Sequence, residues 1–338
     1  MTPSVSSIFA KLFKLGLDAY RGWRSARSEK GDDMKPYKTV IYSFLLGGLF
    51  CLIAQALAGF WGFALTGTPM EFFKGGAVLV SLGVIGFILG GLAIYQYFEE
   101  WATFGALFPF AGFAMAVGMK MVVPWTKGES LGKSIWPGAW LVIWFNAVGA
   151  IVCIAGGYVA GMLGWTPPTY EAIVSSPDTL TALTIGARAF VGGGIICAVF
   201  QIIWLLIKGA VPSAKHVWIL MGGWMCGAIF CLPGLSQWLV AQFGQGFSCL
   251  IPVGGYNMFN VGYDLFLGGE HAAAGMVHLG SFLLAVFGLF FTGLGTFIVW
   301  NAKWGRMTLP EVHLKKARHA LAEAEAGMPA EAKAKKKK

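Results

Sequence analysis

Charge is scarce in this chain. Only 12% of its 338 residues are charged and 57% are hydrophobic, whereas a soluble domain carries about a quarter charged residues. So little charge excludes both a soluble globule and a disordered polar chain. Motifs that carry enzyme chemistry are also missing: there is no HExxH, no GxSxG, no phosphate-binding Walker loop and no pair of intramembrane carboxylates. The reading is therefore non-enzymatic, with no cofactor and no metal. The six cysteines, Cys51, Cys153, Cys197, Cys226, Cys231 and Cys249, all sit in apolar stretches without zinc-ligand spacing, which argues for small buried hydrophobes rather than a metal site or a disulfide framework.

What is present is apolar length. The chain holds 14 Trp, 27 Phe and 48 Gly, and six runs are long enough to cross a bilayer: 39–60, 75–97, 136–162, 187–207, 217–240 and 276–300. Two further apolar runs, 104–123 and 247–265, are interrupted by Pro and Gly, in FGALFPFAGF (104–113) and FSCLIPVGGY (247–256). They are read either as two more spans or as re-entrant segments.

The net charge of +9 resides in the ends of the chain. Residues 1–38 carry +4, residues 303–338 carry +6, and 39–302 carry −1. Basic flanks of this kind mark the cytoplasmic face and attract anionic lipid, and with no soluble domain behind them nucleic-acid binding is a poor reading. Ile8, Phe9, Leu12, Phe13 and Leu15, with Lys11 and Lys14 between them, suggest an interfacial amphipathic helix in the first tail. With six spans, Lys120, Lys127, Lys133, Lys208 and Lys215 share one side with both tails, and Lys74 lies opposite. With eight spans Lys127, Lys133, Lys208 and Lys215 would all face outside, and the loop 163–187, which has no Lys or Arg, would face inside. Six spans plus two re-entrant segments satisfies the positive-inside rule.

The chain also repeats itself. FLLGGLFCLIAQ (44–55) aligns with FVGGGIICAVFQ (190–201): Phe44 with Phe190, Gly47 with Gly193, Gly48 with Gly194, Cys51 with Cys197 and Gln55 with Gln201. The broken segments align as well, Phe104 with Phe247, Leu107 with Leu250, Pro109 with Pro252 and Gly112 with Gly255. Each unit holds three spans, an odd number, so the second unit enters the membrane inverted. The expected fold is an all-α polytopic membrane protein, with six transmembrane helices and two re-entrant broken helices in an inverted repeat. The expected organisation is an N-terminal tail (1–38), a first repeat (39–162), an external linker (163–186), a second repeat (187–302) and a basic cytoplasmic tail (303–338).

These motifs resemble the stage V sporulation A (SpoVA) membrane proteins, specifically the SpoVAC and SpoVAEb subunits. Those share an opening Ala-Phe-Leu-Val-Gly-Gly-Leu-Ile-Cys-x-Ile-Gly-Gln stretch, to which 44–55 and 190–201 are both similar, and YQYFEEWATFGALFPFAGF (95–113) follows the family's Tyr…Trp-Ala…Pro…Gly-Phe frame. The resemblance covers 36–162 and 185–300, as two units in one chain. It implies a bacterial inner membrane, both termini cytoplasmic, a channel or transporter for dipicolinic acid or a similar anion, and assembly with like copies or other SpoVA subunits. The family's Thr after Pro is Ala111 and Gly254 here, and its Asn is Met115 and Met258 with Asn257 alongside. These departures bear on the solute more than on the architecture.

Irregular backbone inside a bilayer occurs where it is buried in protein or lines a wet cavity. The candidate solute-binding or pore residues are therefore those at the breaks: Thr103, Gly105, Pro109 and Gly112 in the first, and Ser248, Pro252, Gly254, Gly255, Tyr256, Asn257 and Asn260 in the second. Helix starts after Pro109 and Pro252 present backbone N–H groups suited to a carboxylate or sulfonate. Gln55 and Gln201, matched amides in the first span of each repeat, either flank the path or brace the breaks. The expected partners are a small anionic solute and anionic lipids. The alternative from the same residues is a membrane scaffold that assembles partners and transports nothing.

Overall fold

The structure is a computed structural model that describes residues 36–165, 179–230, 235–251 and 255–326. The amphipathic stretch of the first tail, most of the 163–186 linker, Cys231 and the end of the C-terminal tail lie outside the described residues. The chain divides between Thr39 and Val40; Pro36–Thr39 form the first helical turn, where Thr39 Oγ1 donates to Pro36 O at 2.8 Å. The architecture that follows is that of residues 40 onward.

Among the described residues all regular structure is helical: α1 (Pro36–Leu65), α2 (Lys74–Gly91), α3 (Tyr95–Leu107), α4 (Phe110–Thr126), α5 (Leu131–Met162), α6 (Thr179–Ala210), α7 (His216–Met225), α8 (Gly227–Phe230), α9 (Leu235–Phe243), α10 (Tyr256–Leu267), α11 (His271–Trp304) and α12 (Leu309–Ala326). Helices α1, α2, α5, α6 and α11 are long and apolar enough to cross a membrane. Their outward residues are large and apolar, as in Ile41, Leu45, Leu49, Leu52, Phe60 and Phe63 of α1. A hydrocarbon solvent explains that exposure and water does not. The protein is a multi-pass membrane protein.

The sixth expected span differs in extent. The run 217–240 is not one helix: α7 and α8 meet at Cys226, and 235–243 is a separate helix, α9. The pair α7–α8 runs along α5, where Gly149 faces the Trp224 ring and Gly156 faces Ala228. Both broken segments begin earlier than their apolar cores suggest, at Tyr95 and Leu235 instead of 104 and 247. Hydropathy is continuous across these joints, so composition alone does not divide them.

The order of the helices runs parallel in the two halves of the sequence. Shifted by 143–146 residues, α1 falls on α6, α2 on α7–α8, α3 on α9 and the short 3₁₀ turn Gly246–Cys249, α4 on α10, and α5 on α11. The crossing of α1 and α6 is reciprocal. A Cβ on Gly47 would lie 2.3 Å from Cys197 Sγ, and one on Gly193 would lie 2.1 Å from Cys51 Sγ. Gly48 meets Phe190, and Gly194 meets Phe44. Phe44 and Phe190, matched in the repeat, also meet each other edge to face at 5.8 Å. Mutual contacts of this kind describe a local two-fold axis, as at an isologous interface, and the small residues let the two backbones approach.

Both broken segments are hairpins. Trp304 Nε1 at the end of α11 donates to Gly91 O before α3 (3.0 Å), and Trp125 Nε1 at the end of α4 donates to Asn301 Oδ1 (2.9 Å). The first segment therefore starts and finishes at the same end of the bundle. At the other end, Gly161 and Tyr158 near the end of α5 pack on Phe266 of α10. Since α5 crosses the bundle, the connections 124–135 and 266–275 lie at opposite ends.

Candidate functional site

The two hairpins meet. Ile251 N donates to Phe108 O at 3.0 Å, and Pro109 and Leu250 form an isolated antiparallel bridge. Proline explains why such a bridge forms here. Pro109, extended at φ −62° and ψ 145°, precedes α4 and interrupts the helix, leaving Phe108 O free of an intrahelical partner. The partner it finds belongs to the opposite repeat.

Each hairpin also bends ahead of the bridge. In the first, Ala102 and Thr103 leave helical geometry (φ −128° and 7°); in the second, Gly244 takes φ +66°, a left-handed conformation that glycine adopts without strain. A bend inside a bilayer strands N–H groups that water cannot reach. The matched glutamines satisfy them, and each serves the other repeat. Gln55 Oε1 accepts from Gln245 N (2.7 Å) and Gly246 N (2.8 Å), while Gln201 Oε1 accepts from Phe104 N (3.3 Å). Ser43 Oγ donates to Ala102 O at 2.8 Å and lies 3.2 Å from Gln201 Oε1. Of the two roles open to Gln55 and Gln201, the geometry matches the brace. Replacing either with leucine orphans buried donors at about 1–3 kcal/mol each. Thermal unfolding midpoints of the purified variants should fall, and further for Gln55→Leu, which orphans two N–H groups through shorter bonds.

The meeting point is dry and aromatic. Phe104, Phe108, Phe247, Leu250 and Leu107 are at most 3% exposed. Phe108 packs on Phe104 (5.1 Å between centroids) and on Phe200 of α6 (4.5 Å), and Phe104 reaches Trp204 and His216, both at 5.9 Å. Cys51 of α1 and Cys249, the residue before Leu250, touch at 3.9 Å between sulfurs. The sequence reading missed these aromatic residues. Phe104 and Phe247 were legible as a repeat pair, but nothing local separates a plug phenylalanine from a packing one.

The candidate residues fall in several places. Pro109, Gly105 and Gly112 are buried at the junction; Gly105 abuts the Ser43 backbone and Gly112 abuts Ala106 O, where no Cβ fits. Thr103 and Ser248 are half-buried at the bends. Gly255 lies behind the junction, against Cys153 and Gly227. Tyr256, Asn257 and Asn260 lie on α10, where Asn260 Nδ2 donates to Tyr256 O (2.9 Å) and the Tyr256 ring faces His278 (6.2 Å). Pro252 and Gly254 lie outside the described residues. Further along α10, Asp264 is buried, and its Oδ2 has no hydrogen-bond partner among the described residues.

At the basic end, α12 covers the turn that opens the first hairpin. Lys316 Nζ donates to Leu92 O (2.6 Å) and Ala93 O (2.9 Å), Ala93 having φ +55°. His313 stacks on Tyr97 at 4.5 Å, and Val312 is buried. Burial, and then the charge of Lys303, pulls the Lys316 ammonium down to about 8.

Residues 39–163 match the family model described as SpoVAC/SpoVAEB sporulation membrane protein. No curated protein and no solved structure matches the chain.

Proposed function

We propose, from the premise that residues 39–163 are a SpoVAC/SpoVAEB sporulation membrane protein domain, that the whole chain is two such units in inverted fusion. In this reading it is a channel or transporter for a small organic anion, a dipicolinate-like carboxylate or a sulfonate. The observation that carries the reading is the backbone bridge between the two hairpins, Phe108 O to Ile251 N. A family domain and its inverted copy bring helix starts from opposite ends to one point, the arrangement in which transporters bind anions near the midplane. The sealed aromatic contact is the closed form. Conduction separates the hairpins and uncovers the N–H groups at the start of α4 and of α10.

Orientation follows the same logic. Lys127, Lys133, Lys303, Arg306, Lys315 and Lys316 gather at the end where the first hairpin starts and finishes, and Lys74 at the other end pairs with Glu71 at 2.7 Å. The positive-inside rule favours the first of these ends as the cytoplasmic one, in the bacterial inner membrane that the family resemblance implies.

The test is flux. Proteoliposomes of the full chain, loaded with dipicolinate, other small carboxylates or sulfonates, should release at least one of them in a protein-dependent manner. No release of any of them, with or without an osmotic downshift, overturns the reading. Under the scaffold alternative, Pro109→Ala changes the capture of partner subunits and leaves permeability untouched.

A further inference from the structure

We propose that the cleft between the end of α11 and α12 holds the phosphate headgroup of an anionic phospholipid. The cleft has a volume of about 650 Å³ and is lined by Arg306, Met307, Glu311, Leu314, Lys315 and Arg318. Three of the six are cationic, and among the described residues none of the three forms an ion pair with a carboxylate. The one acid is otherwise engaged: Glu311 Oε2 accepts from Thr308 N (2.7 Å) and Thr308 Oγ1 (3.0 Å), capping the first turn of α12. Arg306 is already held, its guanidinium 4.0 Å from the centroid of the Trp125 ring. Binding through it therefore costs less side-chain entropy than binding through a free surface arginine.

Position selects a lipid over a free anion. The cleft sits where a lipid-facing stripe ends. Phe287, Phe291 and Ile298 of α11 are all more than half exposed, and the next position at that spacing is Gly305, beside Arg306. An acyl chain laid along this stripe brings its phosphate to the three cations, with Met307 and the exposed Leu314 against its glycerol end. Trp125 and Trp304 mark the same level with indoles that bond polar partners, as interfacial tryptophans do. A small free anion gains only exposed, salt-screened contacts here, whereas a lipid adds its apolar contact and its confinement to the surface.

The site also has a place in the machine. Helix α12 turns Leu314, Lys315 and Arg318 to the cleft, and it turns His313 to Tyr97 and Lys316 to the turn that opens the first hairpin. A headgroup on one face therefore holds α12 down on that turn with the other. The inference does not depend on which solute the protein moves, or on whether it moves one.

The experiment uses the full chain in neutral detergent, with phosphatidylglycerol and phosphatidylcholine titrated and bound lipid counted by native mass spectrometry. Wild type should retain phosphatidylglycerol in preference to phosphatidylcholine. In Arg306→Gln/Lys315→Gln/Arg318→Gln the phosphatidylglycerol affinity should fall about tenfold to a hundredfold, with phosphatidylcholine unchanged. Lys127→Gln/Lys133→Gln, at the same end but outside the cleft, should keep wild-type affinity. Equal retention by the triple variant, or an equal loss in the lysine control, overturns the proposal. Glycerol phosphate binding as tightly as the lipid also overturns it, in favour of a free-anion site. If the triple variant does not fold, Arg318→Gln alone carries the test, since Arg318 is exposed; it should lose affinity severalfold, and no loss overturns the proposal.

Discussion

Phe108→Ala should turn the protein into a leak. Proteoliposomes carrying this variant are expected to lose a trapped small organic anion at least about tenfold faster than wild type at rest. Phe108 is fully buried between Phe104 and Phe200, and its carbonyl makes the bond that joins the hairpins. Truncating a buried phenylalanine costs about 3–5 kcal/mol. Most of that loss falls on the closed state, because an open state separates these rings whether or not the side chain is there. A tenfold population shift needs only about 1.4 kcal/mol of differential destabilisation, well inside that figure. General loss of stability is controlled by Phe145→Ala. Phe145 is equally buried but packs on Phe113 at 4.4 Å and takes no part in the Phe108–Ile251 bond. It should lower the unfolding temperature as much and leave the vesicles tight. Leakage in both variants, or in neither, removes the plug from the mechanism.

The converse experiment locks the junction. Cys51 and Cys249 belong to different repeats and touch at 3.9 Å, and Cys249 directly precedes Leu250 of the bridge. With Cys153, Cys197, Cys226 and Cys231 replaced by Ala, copper–phenanthroline is expected to join the remaining pair. The two thiols give two protons and two electrons to the oxidant and form one disulfide. Flux should drop at least about tenfold and return when dithiothreitol reduces the bond. The expectation follows from position: a bond tying α1 to the second hairpin holds Leu250 against that helix and blocks any opening in which the second hairpin moves off it. Full flux through quantitatively cross-linked protein places the moving part elsewhere. A cross-linking yield near zero means the two sulfurs are not neighbours in the membrane.

Much of this was legible because the repeat is written in residues with few uses inside a bilayer. Gly-Gly in a span lets backbones approach, Pro-x-x-Gly breaks a helix, and an amide demands a partner. The matched pairs at 44–55 and 190–201 marked the crossing of α1 and α6, and an odd number of spans per unit implied the inversion. What stayed hidden was direction. That Gln55 serves the second hairpin and Gln201 the first requires knowing which repeat's bend lies beside which helix, and no spacing within one repeat carries that. The limits of the 217–240 run were hidden for a different reason: α7, α8 and α9 are all apolar, and only packing against α5 on one side and α6 on the other separates them.

Composition and pattern by themselves determined that the chain lives in a membrane, crosses it repeatedly and breaks its apolar runs twice, because transfer free energy and backbone hydrogen bonding act residue by residue. Only the tertiary structure decided that the two breaks bond to each other, that each is held by the opposite repeat, and that aromatic rings close the space between them. Those are contacts between groups roughly a hundred to two hundred residues apart, and local preference carries no information about which distant neighbour completes a broken hydrogen bond.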